Sequence, residues 1–113
     1  MNTRIKGRRN ELKAKAELEK EGWLVQDVKG STKWNKNVDF FGLFDLIAIK
    51  KPKLTDYYEF NNSATLIKFI QVKTNRKPPF KKYEEFKDKH CRFNAFVEVW
   101  VWFDREGFKR YII

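Results

Sequence analysis

Residues Leu66 to Arg76 read LIKFIQVKTNR, and the middle of this stretch governs how the rest of the chain is understood. Apolar residues run through Phe69 and Ile70, Gln71 interrupts them, Val72 resumes, and Lys73 follows. Strand side chains alternate between faces with a period of two, so Gln71 and Lys73 project from the same side. A strand this apolar can hold an amide and an ammonium side by side in two ways. Either it is an edge strand with one wet face, or it presents both groups to something bound.

The flanking segments complete a sheet around the strand Thr65 to Thr74. Downstream, NRKPP breaks the chain, and Phe80 to about Phe93 reads as a highly charged helix. AFVEVWVWF, Ala95 to Phe103, is a strongly β-prone strand, and DREG turns it into a last strand, Phe108 to Ile113. Upstream, Ile5 to Glu21 is rich in Lys, Glu, Ala and Leu, has no proline, and reads as a helix stopped by Gly22. Trp23 to Val28 and Leu43 to Ile49 read as short strands, with a polar loop from Lys29 to Asn37 between them. Lys50 to Ala64 is a long polar connection. The order of helix, three strands, helix and two strands predicts one α/β domain over residues 1–113, with a mixed central sheet of about five strands flanked by helices.

The bulk numbers fit one globular core: 113 residues, 42% hydrophobic and 17% aromatic. No apolar stretch approaches the ~20 residues needed to span a bilayer, and no signal-like segment follows Met1. The expectation is a soluble, cytoplasmic protein with no membrane partner. Cys91 is the only cysteine and His90 the only histidine, which excludes an intrachain disulfide and argues against Cys- or His-based metal sites and a catalytic triad. His90 itself reads as a surface helix residue. A formal net charge of +10 points to a polyanionic partner, nucleic acid first.

Asp45 breaks the apolar run LFDLIAI, Leu43 to Ile49. A buried, unpaired carboxylate costs several kcal/mol, so it must be paired, neutralised or bound to a cation. The plain alternative is that Asp45 ends the strand or pairs with a lysine. If the two strands pair, Asp45 lies near Gln71 and Lys73. Hard oxygen donors beside an ammonium suit Mg²⁺ or Mn²⁺ and phosphodiester hydrolysis. On the first helix, Ile5, Leu12, Ala14, Ala16 and Leu18 define an inward arc that includes Glu11. Glu17, Glu21, Lys13 and Asn10 fall opposite. Glu11 either faces the sheet or pairs with Lys15 at i,i+4.

Together, GRRNELKAKAELEKEGW (Gly7 to Trp23), LFDLIAI and FIQVKTNR (Phe69 to Arg76) resemble the archaeal Holliday-junction resolvases of the PD-(D/E)XK nuclease superfamily. In that family a glycine precedes a helical catalytic glutamate by four residues, matching Gly7 and Glu11. A strand aspartate follows, matching Asp45, and then an acid-x-lysine pair, matching Gln71 and Lys73. The resemblance implies a restriction-endonuclease-like fold and a homodimeric, Mg²⁺- or Mn²⁺-dependent endodeoxyribonuclease acting on branched DNA in recombination and repair. It implies Glu11, Asp45, Gln71 and Lys73 as catalytic residues, with the first three around the metal. Ser31 falls where the family has a substrate-contacting serine, although Ser31 and Thr32 also read as turn formers.

Two residues depart from the pattern: Phe44 stands where proline is usual, and Gln71 replaces the usual acid. The amide oxygen can still ligate a hard cation, but the site loses one negative charge. The Lys50 to Ala64 connection is a further difference. Backbone contacts to DNA are expected from Arg4, Lys6, Arg8, Arg9, Lys33, Lys36, Arg76 and Lys77. Two other readings stand beside the nuclease: a nucleic-acid-binding protein with this fold and little or no catalysis, and a basic structural protein associated with RNA. Asp39 is either a second acid or a loop residue. Trp100 and Trp102 belong either to the core or to a dimer interface.

Overall fold

The structure, a computed structural model, describes residues 3–28, 39–51 and 65–113. Their elements are α1 (Thr3–Lys20), β1 (Leu24–Asp27), β2 (Leu46–Lys50), β3 (Leu66–Thr74), α2 (Lys81–His90), β4 (Ala95–Phe103) and β5 (Gly107–Ile112). The strands form one five-stranded sheet in the order β1-β2-β3-β4-β5. All neighbours are antiparallel except β3 and β4, which run parallel and are joined through α2. The fold is therefore the expected α/β domain with a mixed five-stranded sheet. Ser31, Lys33, Lys36 and residues 52–64 of the long connection lie outside the described residues.

Each sheet face has its own cover. On one face, Ala14 and Leu18 of α1 pack with Val25, Leu46, Ala48, Ile70, Val72 and Trp100. On the other, Tyr83 and Phe86 of α2 pack with Phe44, Phe69, Val97, Val99 and Val101. Residues such as Leu18, Leu46 and Ile70 are fully buried, and each contributes roughly 1.5–3 kcal/mol relative to an exposed position. α1 ends where Gly22 takes φ +94° and Trp23 N–H reaches back to the Leu18 carbonyl at 3.0 Å. A Cβ at that φ is strained, which is why glycine stops this helix.

One expectation fails here, and one open alternative is decided. The inward arc of α1 is not the one its apolar residues suggest: Ile5 is 55% and Leu12 46% exposed, and Ala16 is exposed too, whereas Asn10 is only 1% exposed. The buried stripe is Asn10, Ala14 and Leu18, four residues apart on one face. The small side chain of Ala14 lets the helix settle on the sheet, and Asn10 is tolerated because its amide bonds Thr74 Oγ1 at 2.7 Å. Trp100 has no exposed surface and belongs to the core. It is not available to a dimer interface. No helix among the described residues is long and apolar enough to cross a membrane.

Candidate active site

The strand β3 outruns its neighbour. β2 pairs with it only from Leu66 to Ile70, while β4 pairs as far as Thr74. Beyond Ile70, the β2 side of β3 would be an open edge. Asp45, in the bend just before β2, fills the start of that gap. Its N–H donates to the Ile70 carbonyl at 2.9 Å, and its own carbonyl accepts from Val28 N–H at 3.3 Å. Its carboxylate Oδ2 accepts the Val72 N–H at 2.8 Å, doing the work of a strand carbonyl. Asp45 thus ends the strand, as the plain alternative held, but its bonded partner is a backbone amide.

Local sequence explains this placement. The chain reverses through Phe41 and Gly42, both in the left-handed region at φ 56° and 69°, between a bridge of Phe40 and Phe44. Phe44 is fully buried, with its ring 4.9 Å from Phe86, 5.5 Å from Phe69 and 5.9 Å from Tyr83. The residue standing where the resembled family has proline is an anchor that fixes the next residue, Asp45.

The electrostatics at this notch are unbalanced. Asp45 is 7% exposed, and burial first of all, then the charges of Glu11 and Asp39, push its carboxyl up to about 8. The Val72 N–H and the Lys73 charge oppose that shift without cancelling it. Burial also raises Glu11, against the Arg8 hydrogen bond, with Asp39 and Asp27 adding to the rise. Tyr83 of α2 is raised by burial and then by Asp45 and Asp39. Asp45 therefore lies within electrostatic reach of Glu11, Asp39, Lys73 and Tyr83.

Gln71 is 5% exposed. Its amide nitrogen makes one long contact, 3.5 Å to the Val72 carbonyl, and its Oε1 has no partner among the described residues. Buried oxygens of this kind are rare in folded proteins and ask for an explanation. Lys73, two residues on, is half-buried.

The basic residues divide in use. Arg8 bonds Asp27 at 2.6 Å and Glu11 at 3.3 Å, and Lys15 bonds Asp27 at 3.1 Å. Burial pushes Asp27 upward, but Arg8 and Lys15 outweigh it and hold the carboxylate below its usual range. Arg8 is therefore committed to tying α1 onto β1, and Lys15 goes to Asp27 and not to Glu11. Lys6 meets Asp104 at 2.6 Å. Arg9, Arg76 and Lys77 are exposed. The Arg4 side chain lies outside the described ones. Gly7 has nothing within 4 Å of where a Cβ would stand, so no local contact demands glycine there.

Sequence reasoning missed Asn10, Asp27 and Tyr83. Asn10 had a signal in its i,i+4,i+8 spacing with Ala14 and Leu18, whereas Asp27 and Tyr83 reach the cluster only through the fold. Chemically, the notch offers carboxylate and amide oxygens to a hard cation and an ammonium to an anion. Among the described residues, no three of His, Cys, Asp and Glu stand close enough to hold an ion by themselves. A cation here would draw on Gln71 and on water. In comparisons with known proteins, no family model and no curated sequence matches this chain.

Proposed function

We propose that the notch is the catalytic centre of a Mg²⁺- or Mn²⁺-dependent endonuclease that hydrolyses phosphodiester bonds in branched or otherwise structured DNA. Two observations support this reading: an Asp45 carboxyl pushed up to about 8, bonded to the backbone of Ile70 and Val72 on either side of Gln71, and a buried Gln71 Oε1 with no partner among the described residues. A hard divalent cation answers both. Mg²⁺ is commonly held by one or two carboxylates with several retained waters, which fits a site this sparse in acids. Asp45 and Gln71 would hold it, with Glu11 in the same field. Once bound, such an ion makes a water acidic and offsets charge on the phosphate.

The chain's own groups supply the rest. Asp45 must lose its proton to act as a ligand, so metal affinity rises with pH up to about 8. The Lys73 ammonium positions the attacking water or balances the charge that builds on the phosphate in the transition state. Exposed Arg9, Arg76 and Lys77 grip the backbone without reading bases. The restriction-endonuclease-like arrangement and a homodimer matched to a two-fold junction belong to the same proposal.

Incubation of a labelled four-way junction, matched duplex and single strands with Mg²⁺, Mn²⁺ or EDTA tests it. The junction should be cut with either metal and left whole in EDTA. A second reading rests on Gln71 standing where an acid would add charge: a binding protein without catalysis. It prevails if the parent binds the junction but cuts nothing, while Gln71→Glu does cut. In both readings affinity should fall at least about a thousandfold between 50 and 200 mM salt if some six phosphates are contacted.

A further inference from the structure

Outside the notch, the structure's most distinctive unassigned feature is a cleft of about 360 Å³ between α1 and the β4–β5 turn. Its walls bring Arg9 and Lys13 from α1 together with Arg105 from the turn, around the half-buried indole of Trp102. Lys13 Nζ sits 4.0 Å from the centroid of that ring. Phe108 supports the indole edge-on at 5.0 Å. Among the described residues, Arg9 and Arg105 bond no carboxylate, unlike Lys6, which meets Asp104 at the cleft's edge.

We propose that this cleft binds one nucleotide of a single strand, with the base stacked on Trp102 and the flanking phosphates on Arg9, Lys13 and Arg105. Three observations support that occupant. The volume lies within the range of small-molecule sites. An indole with unpaired cations around it is the combination that binds single strands without sequence preference. The turn also holds Arg105 in place at some cost, because Arg105 is a non-glycine residue at φ 72°. A stacked base is worth more than an exposed cation–π contact, so the base displaces Lys13 from the ring, and the freed ammonium moves to a phosphate.

The cleft lies on the α1 face of the sheet: Asn10 bonds Thr74, and Thr74 lies opposite Trp102 across the β3–β4 pair. The inference rests on the nucleic-acid reading above but not on cleavage.

The test is fluorescence-anisotropy binding of oligo(dT) and of a blunt duplex in EDTA, so that nothing is cut. Trp102→Ala should lose about tenfold in oligo(dT) affinity and Trp102→Phe far less, with duplex binding little changed in either. Arg105→Gly suits the left-handed turn, so the fold survives it. It should weaken oligo(dT) binding and lower the salt slope by about 1. Unchanged oligo(dT) affinity in Arg105→Gly, or equal losses for oligo(dT) and duplex in Trp102→Ala, overturns the proposal. A parent that cuts no junction but binds oligo(dT) through Trp102 removes the nuclease reading and leaves this one standing.

Discussion

The sheet carries buried charge in two places, and it treats them differently. At Glu98 on β4, 3% exposed, every demand is met: Lys68 bonds one carboxylate oxygen at 2.9 Å and the Trp100 indole N–H donates to the other at 2.9 Å. At the notch, the Asp45 carboxylate has one backbone hydrogen bond and like-charged neighbours, and the Gln71 oxygen has no partner among the described residues. Both carboxylates are buried in the same small sheet. The first is architecture. The second is the centre of the proposed site, where burial of Asp45 is answered by one backbone N–H and not by a charge partner.

Removing each acid should separate them by sign. Glu98→Ala strands Lys68 and the Trp100 N–H inside the fold and should cost about 3–5 kcal/mol in urea denaturation. Lys68→Met with Glu98→Gln keeps an acceptor for Trp100 and should recover most of that loss. Asp45→Asn should instead stabilise the protein at pH 8. The parent's Asp45 sits at about 8 when folded against an ordinary 3.8, so folding favours its neutral form. That preference costs nothing below about pH 4. As pH rises from about 4 to about 8, the parent loses stability by up to about 1.4 kcal/mol per pH unit, and above that the loss stays constant. The Asn variant should lack this slope, and a parent with no such slope would make the notch as well satisfied as Glu98.

A smaller effect sharpens the contrast. At pH 8, Mg²⁺ at tenfold its dissociation constant should raise parent stability by about 1.4 kcal/mol, read as a melting shift of several degrees. The shift should vanish in Asp45→Asn and shrink in Gln71→Ala. Smallest of all, Asp104→Ala opens the half-exposed Lys6 contact and should leave the denaturation midpoint almost unmoved.

How much of this the sequence announced depended on whether a residue's surroundings were local. Ala95 to Phe103 was legible to the residue, because a run of β-branched and aromatic side chains interrupted only by Glu98 strongly favours a strand. Gln71 and Lys73 were legible as neighbours along β3, whereas Asp45 was expected inside a strand that begins only at Leu46. The face of α1 was not. A lysine- and glutamate-rich helix with few large apolar residues has no dominant stripe, and the sheet chose Asn10, Ala14 and Leu18 over Ile5 and Leu12. The Arg8–Asp27–Lys15 clamp was likewise invisible, since its members come from α1 and β1 and meet only after folding.

If the unmet demand at Asp45 serves catalysis, a paired assay on a four-way junction separates cutting from binding. Cleavage with Mg²⁺ and binding in EDTA are measured for the parent, Asp45→Asn and Lys73→Ala. The prediction is that both variants bind the junction at least nearly as tightly as the parent and cut it at least about a hundredfold more slowly. If both variants cut at the parent's rate, the notch is not where the chemistry happens.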